Sequence, residues 1–268
     1  MRLSNFMPKT PSDFALGDYA LPNYTIYGNA ANGNGGASPS GAWTSNTQGS
    51  LTLYGTTYGN GYWVAAGATG ALYYKATDPT GSWTSNTQGS TSFNSASYGN
   101  GYFVTVGGSA ALYYKATDPT GAWISNSQGA VNLYSVFYGN GYWVAVGQTG
   151  NLYYKATDPT GAWTSNTQGS TSFNAVTYGG GYWVAVGSSG TLYYKATDPT
   201  SSWTSNTQGS LTFLGVAYGN GYWVAVGNTG TLYYTTDPTG SWTSNTQGTA
   251  ALRSAVYMDG YWVAAGNS

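Results

Sequence analysis

The chain of 268 residues carries 7 basic and 8 acidic residues, and it contains neither His nor Cys. Without imidazole or thiol it lacks the commonest general base and nearly all transition-metal ligands, so zinc and triad hydrolase chemistry is excluded. A net charge of -1 with only 6% charged residues also excludes a nucleic-acid partner or a basic membrane-surface segment, because phosphate binding needs a field of Lys and Arg.

Residues 1–23, MRLSNFMPKTPSDFALGDYALPN, stand outside the repeat that fills the rest of the chain. Pro and Gly break their apolar residues into short pieces, and neither a signal-peptide core nor the roughly 18-residue apolar run of a spanning helix is present. Sec export and membrane insertion are therefore not expected. The segment reads as a nonrepeating arm for self-association into a homo-oligomer or for docking onto another protein of an assembly. The absence of Cys identifies no compartment, since it suits the cytosol and the outside alike.

From Trp43 a block returns every 40 residues, at Trp83, Trp123, Trp163 and Trp203, and after 39 residues at Trp242. In the block ending at 207, TSFNAVTY (171–178) predicts a first strand and YWVAVG (182–187) a second. TLYYKAT (191–197) predicts a third and SSWTSNT (201–207) a fourth. Asn-Gly at 60–61, 100–101, 140–141 and 220–221 marks tight hairpins between first and second strands. Both alternating sets of YWVAVG are apolar, as in a sheet packed on two faces. Four-stranded units of about 40 residues favour a propeller over a solenoid.

The last block supplies only first and second strands, at 250–257 and 261–266, while YTIYG (24–28) and GAWTSNT (41–47) look like the missing third and fourth. The expected fold is all-β, a six-bladed β-propeller of four-stranded antiparallel blades over 24–268, closed by pairing of the N- and C-terminal strands. Residues 1–23 form a separate arm.

The turn between third and fourth strands reads TDPTGSW at 77–83, with counterparts in the later blocks. It resembles the Asp-box of sialidase-like and related bacterial repeat propellers, with Asp in the turn and an aromatic residue five positions later. The matching pairs are Asp78 with Trp83, Asp118 with Trp123, Asp158 with Trp163, Asp198 with Trp203 and Asp237 with Trp242. Ala replaces the usual Ser two positions before Asp, Pro follows it, and the turn Gly is shifted. Sialidases carry an arginine cluster and a Glu-supported Tyr nucleophile, whereas Arg2 and Arg253 are the only arginines here and Glu is absent. The resemblance therefore implies architecture without sialidase activity. Read from the residues alone, the Asp set caps turns and the Trp set packs. One carboxylate per turn falls short of the about six to eight oxygens of a calcium shell, so neither metal nor cofactor is expected. The chain reads as a non-enzyme.

Two sets of loops are expected at one rim, the second-to-third connections (Ala68-Thr69, Gly108-Ser109 and counterparts) and the Asn-Thr-Gln-Gly links between blocks. Their hydroxyl and amide groups suit neutral or weakly charged glycans, and they equally suit ordinary turn solvation. Near the start of the first strand the repeats differ: Tyr54, Asn94, Tyr134, Asn174, Leu214 and Arg253 are equivalent. Tyr54, Asn94, Tyr134, Asn174 and Arg253 are the candidate ligand contacts, the rings for stacking and the polar groups for hydrogen bonds. Trp63, Trp143, Trp183, Trp223 and Trp262, with Phe103 in their series, read as core.

The YGNGYWVAVG repeats resemble those of phage and bacterial surface proteins. That resemblance implies a bacteriophage virion surface or receptor-binding protein for host attachment, with host glycans as candidate ligands recognised in a lectin-like way and residues 1–23 contacting virion proteins. The alternatives are a free carbohydrate-binding propeller and an architectural assembly domain. The expected location is the virion surface, or alternatively the extracellular space by a route other than Sec.

Overall fold

The computed structural model describes residues 15–16, 26–28, 44–246, 248–258 and 260–267. Apart from Ala15 and Leu16, the expected arm at 1–23 lies outside the described residues. Three short strands come first, β1 (Ala15–Leu16), β2 (Ile26–Gly28) and β3 (Thr44–Asn46). Five four-stranded sheets follow. The first holds β4 (Leu53–Gly59), β5 (Tyr62–Gly67), β6 (Leu72–Ala76) and β7 (Thr84–Ser85). The second holds β8 (Phe93–Gly99), β9 (Tyr102–Gly107), β10 (Leu112–Ala116) and β11 (Ile124–Ser125), and the third β12 (Leu133–Gly139), β13 (Tyr142–Gly147), β14 (Leu152–Ala156) and β15 (Thr164–Ser165). The fourth holds β16 (Phe173–Gly179), β17 (Tyr182–Gly187), β18 (Leu192–Ala196) and β19 (Thr204–Ser205). The fifth holds β20 (Phe213–Gly219), β21 (Tyr222–Gly227), β22 (Leu232–Thr235) and β23 (Thr243–Ser244), and the described chain ends with β24 (Ala251–Met258) and β25 (Tyr261–Asn267).

Two compact units contain these sheets, one built from residues 21–170 and the other from 1–20 with 171–268. Within every complete sheet each strand pairs antiparallel with its sequence neighbour. Asn and Gly at the first hairpins take the left-handed conformations of a type I′ turn, with φ 46° at Asn60 and 79° at Gly61. That twist matches the flanking strands.

Packing follows the alternation in the second strand. In the first unit Val104, Val106 and Leu112 of the second sheet meet Leu133, Trp143, Ala145 and Trp163 of the third. In the second unit Val184, Val186 and Leu192 meet Phe213, Trp223, Ala225 and Trp242. In both pairs the earlier sheet presents a Val/Leu face and the later one an aromatic face. Ala between the aromatic residues leaves the room they occupy. Trp143, Trp183 and Phe103 are completely buried, and Trp223 and Trp262 nearly so, as a two-sided core requires, whereas Trp63 in the first sheet is only partly buried.

At the end of each second strand a short turn needs a left-handed residue, supplied by Gly70, Gly150, Gly190 and Gly230. Ala110 stands there in the second sheet with φ 57°. Its methyl group costs twice. A Cβ on Gly70 would lie 2.4 Å from the Gln88 carbonyl oxygen. At Ala110 the corresponding ladder bond, from the Gln128 N–H, is 3.1 Å against 2.8 Å from Gln88 to Gly70. Ala110→Gly is expected to stabilise the protein by about 1 kcal/mol, relief of left-handed strain outweighing the added freedom of the unfolded chain. The urea midpoint should rise; an unchanged or lower midpoint would contradict this.

The expected closure is corrected in its particulars. An N-terminal strand does pair with the C-terminal one, but it is β1, parallel to β25 through Ala15↔Val263 and Leu16↔Ala264. Among the described residues, Ile26–Gly28 of the expected third-strand segment forms β2, which pairs with β3. Among the described residues no sheet joins the chain ends into a closed ring. The architecture is all-β, with five four-stranded sheets, one of three strands and one of two.

Candidate functional site

The Asp-Pro-Thr turns are self-contained. Asp118 Oδ1 accepts the Thr120 backbone N–H at 2.9 Å and also its hydroxyl, and Trp123 Nε1 donates to the Pro119 carbonyl at 3.1 Å. The same bonds recur at Asp78, where the Thr80 N–H lies at 2.7 Å, and at Asp158, with Thr160 at 2.9 Å. In the second unit Asp198 and Asp237 accept the Thr200 and Thr239 N–H groups at 3.0 and 2.9 Å. Hydrogen bonds from the Thr hydroxyl and then the Thr N–H hold the carboxyls of Asp78, Asp118, Asp158 and Asp198 below the usual carboxylate range, with the nearby Lys adding a smaller effect. Each carboxylate serves its own sheet, and among the described residues no three His, Cys, Asp or Glu gather into a metal-binding group.

Depressed folded-state values mean that the four Asp stabilise the fold fully above the unfolded value of about 3.9, and that this contribution is lost as pH falls through the lower folded values. Having no His, the protein should melt at a nearly constant temperature between about pH 5 and 8, then lose stability below about pH 4. A thermal melt series checks this, and a decline beginning between pH 7 and 5 would contradict it.

The Asn-Thr-Gln links turn out to be clamps between sheets. Asn86 Nδ2 donates to the carbonyls of Pro119 and Gly121, each at 2.8 Å, in the turn of the next sheet. Gln88 Oε1 accepts the Trp123 backbone N–H at 3.0 Å, and its Nε2 donates to Asn86 Oδ1 at 2.7 Å. Asn126 and Gln128 repeat this against Pro159, Gly161 and Trp163, and Asn206 and Gln208 against Pro238, Gly240 and Trp242. The second-to-third turns also reach forward, with the Ser109 N–H donating to Asn132 Oδ1 at 2.9 Å and the Thr69 N–H to Ser92 Oγ at 3.2 Å. Much of the polar chemistry expected at a binding rim is spent on neighbouring sheets.

The variable first-strand position has a structural meaning that sequence reading missed. Each first strand carries a β-bulge, between Leu53 and Gly55, Phe93 and Ser95, and Leu133 and Ser135 in the first unit, and between Phe173 and Ala175, Phe213 and Gly215, and Leu252 and Ser254 in the second. The residue skipped by the pairing is Tyr54, Asn94, Tyr134, Asn174, Leu214 or Arg253. A bulge releases its residue from the ladder and re-aims its side chain. Asn94 Nδ2 donates to the Leu133 carbonyl at 2.7 Å, and Asn174 Nδ2 to the Phe213 carbonyl at 2.7 Å. Their amide donors therefore latch the next first strand. Tyr54 is 50% exposed, Tyr134 is half-buried and Arg253 is exposed. In the first unit Tyr54, Asn94 and Tyr134 stand on three successive first strands. The first two strands approach so closely that a Cβ on Gly55 would lie 2.9 Å from Ser95 Cα.

No protein-family model and no curated protein matches the chain. Among solved structures it is similar to YCF48 bound to a D1 peptide, with 16% identity and a TM-score of 0.67 over 84% of this chain and 79% of that one. It is also similar to YCF48 from Cyanidioschyzon merolae, with 12% identity and a TM-score of 0.66 over 84% and 83% of the two chains. The Cps50 (Swd1) β-propeller domain of Myceliophteria thermophila shows 10% identity and a TM-score of 0.67, over 83% of each chain. These likenesses show the β-propeller fold in general and do not single out the Asp-box family that the turns resemble.

They also overturn the expectation of a bacteriophage virion or host-attachment protein with a lectin-like, carbohydrate-binding surface, since none of these three similar structures is such a protein. The physical reason lies in the repeat that prompted it. In YGNGYWVAVG, Asn-Gly makes the hairpin, YWVAVG fills the two-sided core, and the first Gly admits a neighbouring Tyr ring. The motif is accounted for by packing and says nothing about where the protein works.

Proposed function

We propose that the chain is a non-enzymatic architectural domain, a propeller that holds an uncharged segment of another protein against the bulge row Tyr54, Asn94 and Tyr134. The observation that carries this reading is the bulge itself: the backbone repeats from sheet to sheet while the residue it releases changes from Tyr to Asn to Tyr. Large rings beside a fixed amide supply apolar area and one directed polar contact at small entropic cost. YCF48, which shares the fold, has been solved with a peptide bound. In this reading the repeats complete a six-bladed ring.

Selection of a random peptide library without charged residues against the native protein, beside a glycan panel, tests the proposal. Peptides that lose binding about tenfold or more in Tyr54→Ala and Tyr134→Ala support it. Glycan binding alone, or peptides indifferent to both substitutions, would defeat it.

A further inference from the structure

Asn60, Asn100 and Asn220 stand in hairpins of one sequence, Tyr-Gly-Asn-Gly-Tyr, at 58–62, 98–102 and 218–222, and all three are exposed. They take the same turn, with φ 46°, 46° and 49° at Asn and 79°, 81° and 78° at the Gly that follows. What holds them differs. In the first unit Asn100 Nδ2 donates to the Thr157 carbonyl of the next sheet at 2.8 Å, and Asn60 Nδ2 to the Thr117 carbonyl. Each hairpin is also tied within its own sheet, the Thr117 N–H donating to the Gly101 carbonyl at 2.8 Å and the Thr77 N–H to the Gly61 carbonyl at 2.7 Å. The third strand there runs far enough to pair Ala116 with Tyr102 and Ala76 with Tyr62.

The fifth sheet, in the second unit, is one residue short at this place, where Lys-Ala-Thr-Asp at 115–118 becomes Thr-Thr-Asp at 235–237. β22 accordingly stops with Thr235 opposite Trp223, and the Asp237 N–H turns to the Thr235 hydroxyl at 3.2 Å. Among the described residues, none of the third strand faces Tyr222, no backbone N–H reaches the Gly221 carbonyl, and the Asn220 amide makes no hydrogen bond.

We propose that Asn220 is a spontaneous modification site, converted to a mixture of aspartyl and isoaspartyl residues, while Asn60 and Asn100 are held against the same reaction by their bonds. Asn-Gly favours it because Gly has no Cβ to obstruct attack by its own nitrogen on the neighbouring amide. The Gly221 nitrogen gives up its proton and bonds to Asn220 Cγ, the Cγ–Nδ2 bond breaks, and Nδ2 leaves with that proton as ammonia. Water then opens the cyclic imide. Opening at Cγ restores the original peptide bond and leaves an aspartate, whereas opening at the main-chain carbonyl leaves the isoaspartyl link. Water is the sole co-reactant and nothing is oxidised or reduced. To reach the imide the side chain must swing toward the Gly nitrogen and the turn must open, which costs Asn60 and Asn100 their anchoring bonds and costs Asn220 none. The product adds a negative charge at that hairpin to a chain of net charge -1. The site is independent of the bulge row and of peptide binding there.

The protein is its own control, because the shared pentapeptide gives the three Asn the same intrinsic reactivity. After incubation of the native protein at mildly alkaline pH, fragmentation mass spectrometry localises the Asn-to-Asp mass gain, and isoaspartate is measured in the same peptides. Asn220 should react about tenfold faster than Asn60 and Asn100, and the three rates should coincide in urea-unfolded protein. Equal rates in the folded protein, faster reaction at Asn60 or Asn100, or the same inequality persisting in urea would overturn the proposal. Insertion of an Ala between Thr235 and Thr236 restores the spacing of the other sheets and should slow Asn220 severalfold. An unchanged rate in that folded variant would overturn the assignment to the shortened third strand.

Discussion

Trp143→Ala is expected to lower the unfolding free energy by about 3–5 kcal/mol. The ring is completely buried between the Val104, Val106 and Leu112 face and Leu133 and Ala145 of its own sheet, and it packs on Tyr138 at 4.9 Å. Walls from two sheets cannot collapse into the space without parting from their own ladders. Trp143→Phe is expected to behave differently. The indole Nε1 is buried and has no hydrogen-bond partner among the described atoms, so its desolvation is uncompensated. Phenylalanine removes that donor along with some apolar area, and Phe103 already fills the equivalent place in the second sheet. A cost of about 1 kcal/mol or less is predicted for Phe, from urea unfolding. Equal losses for Ala and Phe would show that the indole nitrogen carries a stabilising contact.

Gly99→Ala is the second. Its Cβ would fall 2.2 Å from Tyr138 Cγ and 2.3 Å from Cδ1, so the aromatic ring of the next sheet must move. That ring is held by Trp143 behind it, and the displacement propagates into the core. A loss of about 2–4 kcal/mol is expected, at the upper end for overpacking. The same approach recurs at Gly59 with Tyr98, Gly179 with Tyr218 and Gly219 with Tyr257, which makes the Gly-to-ring contact a repeated sheet-to-sheet spacer. A double-mutant cycle isolates it. In a Tyr138→Gly background, which also removes the Tyr138 Cβ that would lie 2.4 Å away, Gly99→Ala should cost much less, and strictly additive losses would refute the steric account.

Much of this architecture was legible in the residues. YWVAVG at 182–187 reads as a strand and is one, because two apolar faces and a Gly-Gly turn before it leave little alternative. The fourth strand was read too long. SSWTSNT at 201–207 shrinks to Thr204–Ser205, and the third sheet shows the cause: the Trp163 backbone N–H goes to the Gln128 side chain, outside the ladder. The Asn and Gln clamps were hidden for a related reason. In a repeat every residue pair recurs at constant spacing, so the 35 residues between Gln88 and Trp123 carry no signal that they touch. The bulge left no mark either, since its occupants range from Tyr to Arg and include no Gly. Variation among the repeats pointed to the position while leaving its geometry unread. At the chain ends the expected pairing of a third-strand-like segment with a fourth appears as Ile26–Gly28 against β3, whereas nothing in the composition of the first residues signals that Ala15 and Leu16 pair with β25.

The functional account stands most directly on the row Tyr54, Asn94 and Tyr134, and calorimetric titration of a library-selected peptide into the native protein and into Tyr54→Ala/Tyr134→Ala measures it. The account predicts that the double variant melts like the native protein, because Tyr54 is half exposed and both residues sit outside the ladder, while affinity falls about tenfold or more. Equal affinity for the two proteins at unchanged melting temperature would contradict it and remove the bulge row as the surface on which this propeller holds its partner.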